Sequence, residues 1–450
     1  MASVIPTELG TEKVSILLRK YAVPSIVAMV ASSLYNMVDS IYIGQGVGTN
    51  ALAGLALTFP LMNLSAALGA MVGVGSSSVL SLLLGQKNYS MANKVFGTCM
   101  SLNVFMGIVY TVGVLLFLDP ILYFFGASEQ TIPHARSYMY IILLGNIITH
   151  LYFGSNAILR AAGFPKKSMT ATIITIVLNT AMDPLFIFVF GWGIQGAAVA
   201  TVLAQLLGFC WQSRFFSNKE NVVHYQRGIY KPEWRIVKNI LAIGASPFAM
   251  NSAACFVVIL INRGLQQFGG DLAIGAYGII NRIGFIFVMI VMGLNQGMQP
   301  IAGYNFGAKE FGRVYQVLRL TLKYATIVTG TGFIVAEIFP QFFLRIFTSD
   351  QQLLDIATPA TRIFFSAFLI ISFPMVTGNL FQSIGMAGKS IFLSLSRQLI
   401  FLVPCLIVLP RIFGLNGVWM SMPISDVMAF IIAIILLVKH ARKFKTQKKA

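Results

Sequence analysis

The sequence predicts an all-α membrane protein: twelve transmembrane helices in two six-helix lobes related by a parallel internal repeat. Three observations carry that prediction. Of 450 residues, 57% are hydrophobic and 10% charged, where a soluble domain has roughly a quarter charged. Twelve apolar stretches lie between polar breaks, each able to supply the about 20 residues that cross a hydrocarbon core. The two halves of the chain also match when one is slid by about 222 residues.

The first six stretches run 14–44, 51–84, 95–118, 134–159, 168–190 and 194–216. The second six run 238–263, 272–303, 324–343, 360–384, 390–411 and 415–438. The first is not a signal peptide: it is too long, contains Pro24 and has no small-residue cleavage site after a short apolar core. The predicted domains are an N-terminal lobe over 1–216, a cytoplasmic linker over 217–237, a C-terminal lobe over 238–438 and a basic cytoplasmic tail over 439–450.

An even number of spans puts both termini on one side. Loops on that side hold twenty-five Lys and Arg residues; the opposite loops hold five, Arg136, Arg263, Arg345, Arg362 and Arg411. Positive charge is retained inside, so both termini are expected in the cytoplasm, beneath a bacterial inner membrane. The net charge of +18 then serves topology or meets anionic lipid, and nucleic acid is not an expected partner.

The repeat is visible in three places. NALAGLALTFPLMN, from Asn50, aligns with DLAIGAYGIINRIG, from Asp271; LLLGQKNYSMANKV, from Leu82, aligns with GYNFGAKEFGRV, from Gly303, setting Gly85 on Gly307; and AAGFPKKS, from Ala161, aligns with SIGMAGKS, from Ser383. Six helices per unit make the repeats parallel, and two such lobes suit a transporter that rocks about a central site. A passive scaffold would need none of the polar groups that follow.

A charged group within a span costs several kcal/mol unless it meets water or partners. The N-lobe has two such groups, Asp39 on helix 1 and Asp183 on helix 5; the matching C-lobe positions are near Asn262 and at Pro404 or Cys405. Asp39 lies roughly 8 Å and Asp183 roughly 10 Å below the outer ends of their helices, with Thr201 of helix 6 at similar depth. Asn179 precedes Asp183 by one helical turn and shares its face. Pro184 frees the carbonyl of Thr180 and kinks helix 5, and Pro24 does the same to Lys20 in helix 1, as a hinge or as a packing kink. Two carboxylates in a low-dielectric pocket resist ionising together, so the set is expected to take up a proton or a sodium ion. That occupancy would couple to a substrate cation.

The C-lobe has Arg282 on helix 8, Arg397 on helix 11 and Asp426 on helix 12. They are expected to form a charge cluster, either an internal salt bridge or a second coupling site. GAMVG, from Gly69, and GLNQG, from Gly293, are small-xxx-small patterns that permit close packing of helices 2 and 8. Cys99, Cys210, Cys255 and Cys405 read as packing residues, and His134, His150, His224 and His440 are too scattered to define a metal cluster. No metal site, catalytic residue or nucleophile elbow stands out, and no enzyme is expected.

PSIVAMVASSLYNMVDSIYIG, LNTAMDPLFIFVFGWGIQGAAVAT and GLNQGMQPIAGYNFGAKE resemble the multidrug and toxic compound extrusion (MATE) family, and the likeness covers nearly the whole chain. It implies two bundles around a cavity that opens alternately to each side, with bulky organic cations leaving in exchange for H⁺ or Na⁺. It also implies a monomer with no cofactor beyond the coupling ion. The branch resembled is the DinF/MepA-like one, whose N-lobe site matches Asp39, Asn179, Asp183 and Thr201, with Pro24 on helix 1. Helices 7 and 10 lack the acidic residues of the NorM-like branch.

Two rival readings stay open on sequence. A lipid-linked oligosaccharide flippase of a related superfamily branch shares the lobed plan, but would line its cavity with Arg or Lys; here only Arg282 and Arg397 lie within spans. A receptor or scaffold would tolerate an Asn pair in place of the N-lobe carboxylates.

Overall fold

The computed structural model describes residues 7–447, and its regular structure is helical, with no β-strand among the described residues. Its elements are α1 (Glu8–Thr11), α2 (Val14–Gly46), α3 (Thr49–Gly85), α4 (Tyr89–Leu116), α5 (Leu118–Phe124), α6 (Ile132–Ala161), α7 (Pro165–Pro184), a π-helical turn (Leu185–Val189) and α8 (Gly193–Phe216). After the linker come α9 (Trp234–Gly307), α10 (Phe311–Ile338), α11 (Pro340–Phe347), α12 (Gln351–Phe365), α13 (Phe368–Ser383), α14 (Ala387–Leu395), a second π-helical turn (Ser396–Leu402) and α15 (Val403–Gln447). The last three residues of the expected basic tail lie outside the described residues.

The helices make twelve crossings. At 74 residues α9 would be about 110 Å long if straight, against a core of about 30 Å. It is instead folded at Gly270, where φ is 65°, a conformation open to glycine at no steric cost. α15 folds in the same way at Gly414, with φ 58°. The helices of the pairs α10–α11 and α12–α13, bent by 89° and 48° at short breaks, are together long and apolar enough to make one span each.

The ninth span departs from expectation. Its helix starts at Phe311, not 324, and ends at Ile338 before the sharp bend, so 339–343 turn away from the span axis. Arg313, Arg319 and Lys323 lower the hydropathy of its first turns, yet Val314, Val317, Leu318 and Thr321 bury one continuous face there. The tenth span likewise begins at Gln351, nine residues before 360.

Backbone geometry repeats with the sequence. Among the described residues, Lys87 and Lys309, 222 residues apart, are the two non-glycine residues with positive φ, at 59° and 64°. Each follows a helix C-terminus closed by the same long bond: Asn88 N–H to the Leu83 carbonyl at 2.9 Å, and Glu310 N–H to the Asn305 carbonyl at 2.8 Å. Phe117 and Phe339 break their helices at matching positions before a short helix.

The chain forms two compact units. Unit 1 holds the residues up to Thr11 together with Val27–Phe248; unit 2 holds Glu12–Ile26 and the residues from Ala249 on. The first part of α2 therefore packs in unit 2, and the first part of α9 packs in unit 1. Glycine permits both docks. In unit 1 a Cβ at Gly75 or Gly244 would strike the backbone of Ile240 or Met71; in unit 2 a Cβ at Gly293 or Gly297 would lie 2.6 Å from the Cα of Ile26 or Ala22. Adding 222 to Gly75 and Ala22 gives Gly297 and Gly244, so the two docks are copies of one contact. Of the two predicted small-residue patterns, GLNQG makes this close approach, whereas Gly73 in GAMVG meets α6 at an ordinary 3.5 Å.

The linker packs on unit 1. Asn93 of α4 donates to the Val222 carbonyl at 2.8 Å and accepts from the His224 N–H at 3.1 Å, as a strand neighbour would. Ser101 donates to the Tyr230 carbonyl at 2.8 Å. Tyr225 meets Phe96 at a tilt and Phe216 edge to face, and burial pushes its phenol above the usual range.

Candidate functional site

Four sequence-predicted residues of unit 1 come together. Asp183, on the last turn of α7, is fully buried, Asn179 one turn earlier is 2% exposed, and Asp39 on α2 is 7% exposed. With the Asn179 amide turned so that its nitrogen faces the carboxylate, it donates to Asp183 Oδ2 at 2.9 Å, and its oxygen accepts from the Thr201 N–H at 3.1 Å and the Thr201 hydroxyl at 3.2 Å. One amide thus ties α7 to α8.

Asp39 is placed differently. It interacts electrostatically with Asp183, but its Oδ1 is buried and makes no hydrogen bond among the described residues. A carboxylate oxygen in that state is costly to bury, and any cation or proton arriving there relieves it. The oxygens around it are hard donors of the kind that suit H⁺ or Na⁺.

Two tyrosines complete the site and were not anticipated. Tyr35 shares its hydroxyl with Thr201 Oγ1 at 3.3 Å and feels both carboxylates; it precedes Asp39 by one turn, so helical spacing alone could have found it. Tyr138 of α6, 1% exposed, also lies within electrostatic reach of Asp39 and Asp183. Nothing near it in sequence marks it, because α6 brings it in through packing.

The prolines behave unequally. Pro184 ends the α-helical part of α7, and the π-helical turn Leu185–Val189 follows, so the freed backbone is absorbed by a wider helix. Pro24 is buried inside α2, which continues as one helix from Val14 to Gly46. The division of α2 between the units falls two residues beyond it, at Ile26.

The expected C-lobe cluster forms only in part. Arg397 Nε donates to Asp426 Oδ1 at 2.6 Å, with side-chain exposures of 32% and 7%. Arg282 is exposed and joins neither. It lies on the second arm of α9, and sequence spacing could not tell which way that arm turns it. The pair Arg397–Asp426 is an internal salt bridge.

With this geometry in hand, likeness to known proteins is informative. The MatE family model matches residues 24–185 and 247–407, one match per repeat. The multidrug export protein MepA of Staphylococcus aureus strain MSSA476 is 25% identical over 417 residues, covering 93% of this chain and 92% of MepA. MepA of Staphylococcus haemolyticus is 23% identical over 428 residues, covering 95% and 94%. Among solved structures, MATE in the bent conformation superposes with a TM-score of 0.94 at 23% identity over the whole of both chains. An outward-facing multidrug resistance MATE transporter gives 0.92 at 24% identity over 99% of each. The backbone is thus that of known MATE transporters, the repeat is the one the family model matches twice, and this chain, a multi-pass membrane protein, belongs to the MatE family of multidrug and toxic compound extrusion transporters.

Proposed function

We propose that this protein is an antiporter of the bacterial inner membrane, with both termini cytoplasmic, that exports amphipathic organic cations in exchange for H⁺ by alternating access. Na⁺ is the other ion that the same oxygen donors would accept. The observation that carries the reading is the buried Asp39 Oδ1, which makes no hydrogen bond among the described residues, beside Asp183. A group held in that state marks an ion site more readily than a packing contact.

In this reading Asp39 and Asp183 exchange the coupling ion. Asn179 and Thr201 hold Asp183, and the Tyr35 hydroxyl, one turn from Asp39, follows the ion's arrival and departure. Ion occupancy changes the net charge of the pocket, so a cationic substrate and the coupling ion exclude one another, which is what exchange requires. Multidrug export by the MepA relatives supports the substrate class. Pro24 and Pro184 give α2 and α7 places where shape can change without breaking a full ladder of hydrogen bonds.

The test is ethidium flux in proteoliposomes under an imposed pH gradient and, separately, an imposed Na⁺ gradient at matched membrane potential. Flux that follows the pH gradient and disappears in Asp39→Asn supports the reading. Flux by Asp39→Asn equal to wild type overturns it.

A further inference from the structure

Unit 1 contains a second buried polar cluster that the carboxylate site does not use. His150 of α6 is fully buried, with Ser65 of α3 and Asn146 one turn earlier on α6 at 7% and 2% exposure. Ser65 Oγ donates to Asn146 Oδ1 at 2.5 Å and lies 3.1 Å from His150 Nε2. With the Asn146 amide in this orientation the hydroxyl proton goes to Asn146, and the matching tautomer has Nε2 donating to Ser65. Among the described residues the His150 Nδ1, Asn146 Nδ2 and Asn103 Oδ1 on the adjoining α4 make no hydrogen bond within normal distance and angle.

The repeat provides an internal control. Adding 222 to Ser65, Asn146 and His150 gives Phe287, Phe368 and Ser372. In unit 2 the two phenylalanines meet edge to face at 6.0 Å, and Ser372 is partnered by Thr326 and Thr329. The same backbone is thus built with an apolar, satisfied core at this place. Packing does not require the polar groups of unit 1, and leaving buried polar atoms unpaired costs about 1–3 kcal/mol each.

We propose that His150, with Ser65 and Asn146, is a second proton-binding site of unit 1, on the cytoplasmic side of the carboxylates. It lies about 18 Å along α6 from Tyr138, which faces the carboxylates, and about 15 Å from Arg160 at the other end of that helix. Protonation at Nδ1 leaves the Nε2 bond to Ser65 intact, and Asn103 Oδ1 is an acceptor on the neighbouring helix. The groups that face the ring are Ser65 and Gly69 on α3, the Asn103 main chain on α4 and Asn146 on α6; the Cys99 thiol adjoins through the Asn103 amide. No charged side chain touches the ring among the described residues. The purpose of the site, a second proton station, rests on the proton-antiport reading above.

Two measurements test it. The first is nitrogen NMR of the full chain with labelled histidine in nanodiscs, the His150 signal being assigned by its loss in His150→Gln. A buried ring without a counter-charge holds its second proton weakly, so it is expected to pass from a neutral to the doubly protonated form between about pH 7 and 3, and Ser65→Ala is expected to move that midpoint. A single neutral tautomer throughout overturns the proposal, whatever the transport mechanism. The second is proton release on ethidium binding in weakly buffered detergent, where His150→Gln is expected to lower the protons released by a factor of about two. Full release in His150→Gln with reduced release in Asp39→Asn overturns the second site and leaves the antiport reading standing. Full release in Asp39→Asn overturns the antiport reading, and the NMR titration alone then decides His150.

Discussion

Asn179 and Asp183, one helical turn apart on α7, are joined by a 2.9 Å hydrogen bond while the other side of the same amide holds Thr201 on α8. Replacing Asn179 with Ala strips Asp183 of its donor, a loss of about 1–3 kcal/mol. Ethidium efflux is expected to slow by about tenfold or more. Thr201→Ser keeps the hydroxyl and is expected to stay within about twofold of wild type in the same vesicles.

Asp39→Asn separates ion binding from structure. Its Oδ1 has no hydrogen bond to lose among the described residues, and removing an uncompensated buried charge does not weaken the fold. The melting temperature is expected to equal or exceed that of wild type in detergent while exchange is lost. A fall of several degrees would identify Asp39 as a structural pin between helices.

Arg397 and Asp426 are expected to do the reverse. Asp426→Asn leaves Arg397 without its counter-charge and should destabilise unit 2 by about 3–5 kcal/mol. The paired change Arg397→Met with Asp426→Leu is expected to recover most of that stability and to retain efflux. Loss of efflux in a stable paired variant would show that the salt bridge takes part in coupling.

The glycine docks can be probed with single methyl groups. Gly244→Ala places a Cβ against the Met71 carbonyl, and Gly297→Ala places one 2.6 Å from the Ala22 Cα; neither neighbour is a flexible side-chain tip. Both variants are expected to lower the melting temperature, with a cost of about 1–3 kcal/mol. Gly113→Ala, where a Cβ would meet nothing within 4 Å, is the matched control and should be neutral.

For the linker, two substitutions of similar size should differ. Lys94 and Glu233 form a 2.5 Å ion pair, but both are more than 40% exposed, so Glu233→Gln is expected to change little. Asn93→Leu removes the buried amide that holds Val222 and His224. Faster trypsin cleavage at Lys219 or Arg227 in Asn93→Leu, and not in Glu233→Gln, is the expected pattern.

Much of the site could be read from the chain because depth in a membrane is a one-dimensional quantity. Counting residues from helix ends puts Asp39, Asp183 and Thr201 at one level, and the one-turn spacing puts Asn179 and Asp183 on one face. Rotation about the helix axis is a different matter. Tyr138 enters the site, and Arg282 stays out of the Arg397–Asp426 pair, through helix packing that no local spacing records. The start of the ninth span is hidden for a related reason: hydropathy averages over all faces, so Arg313, Arg319 and Lys323 mask the buried stripe beneath them. His150 was set aside for want of neighbouring histidines and cysteines in the sequence, whereas its partners are a serine and an asparagine.

The exchange of the first parts of α2 and α9 bears on how such a chain can be divided. A cut in the linker leaves one fragment without residues 234–248, which dock at Met71 and Gly75, and the other without residues 12–26, which dock at Gly293 and Gly297. Neither fragment is then a whole unit, although each carries one complete copy of the repeat. This is the arrangement of a swapped dimer whose two protomers have become covalently continuous. Halves produced from separate genes should therefore behave as complementing partners, each stable only when the other is present to return the borrowed helix.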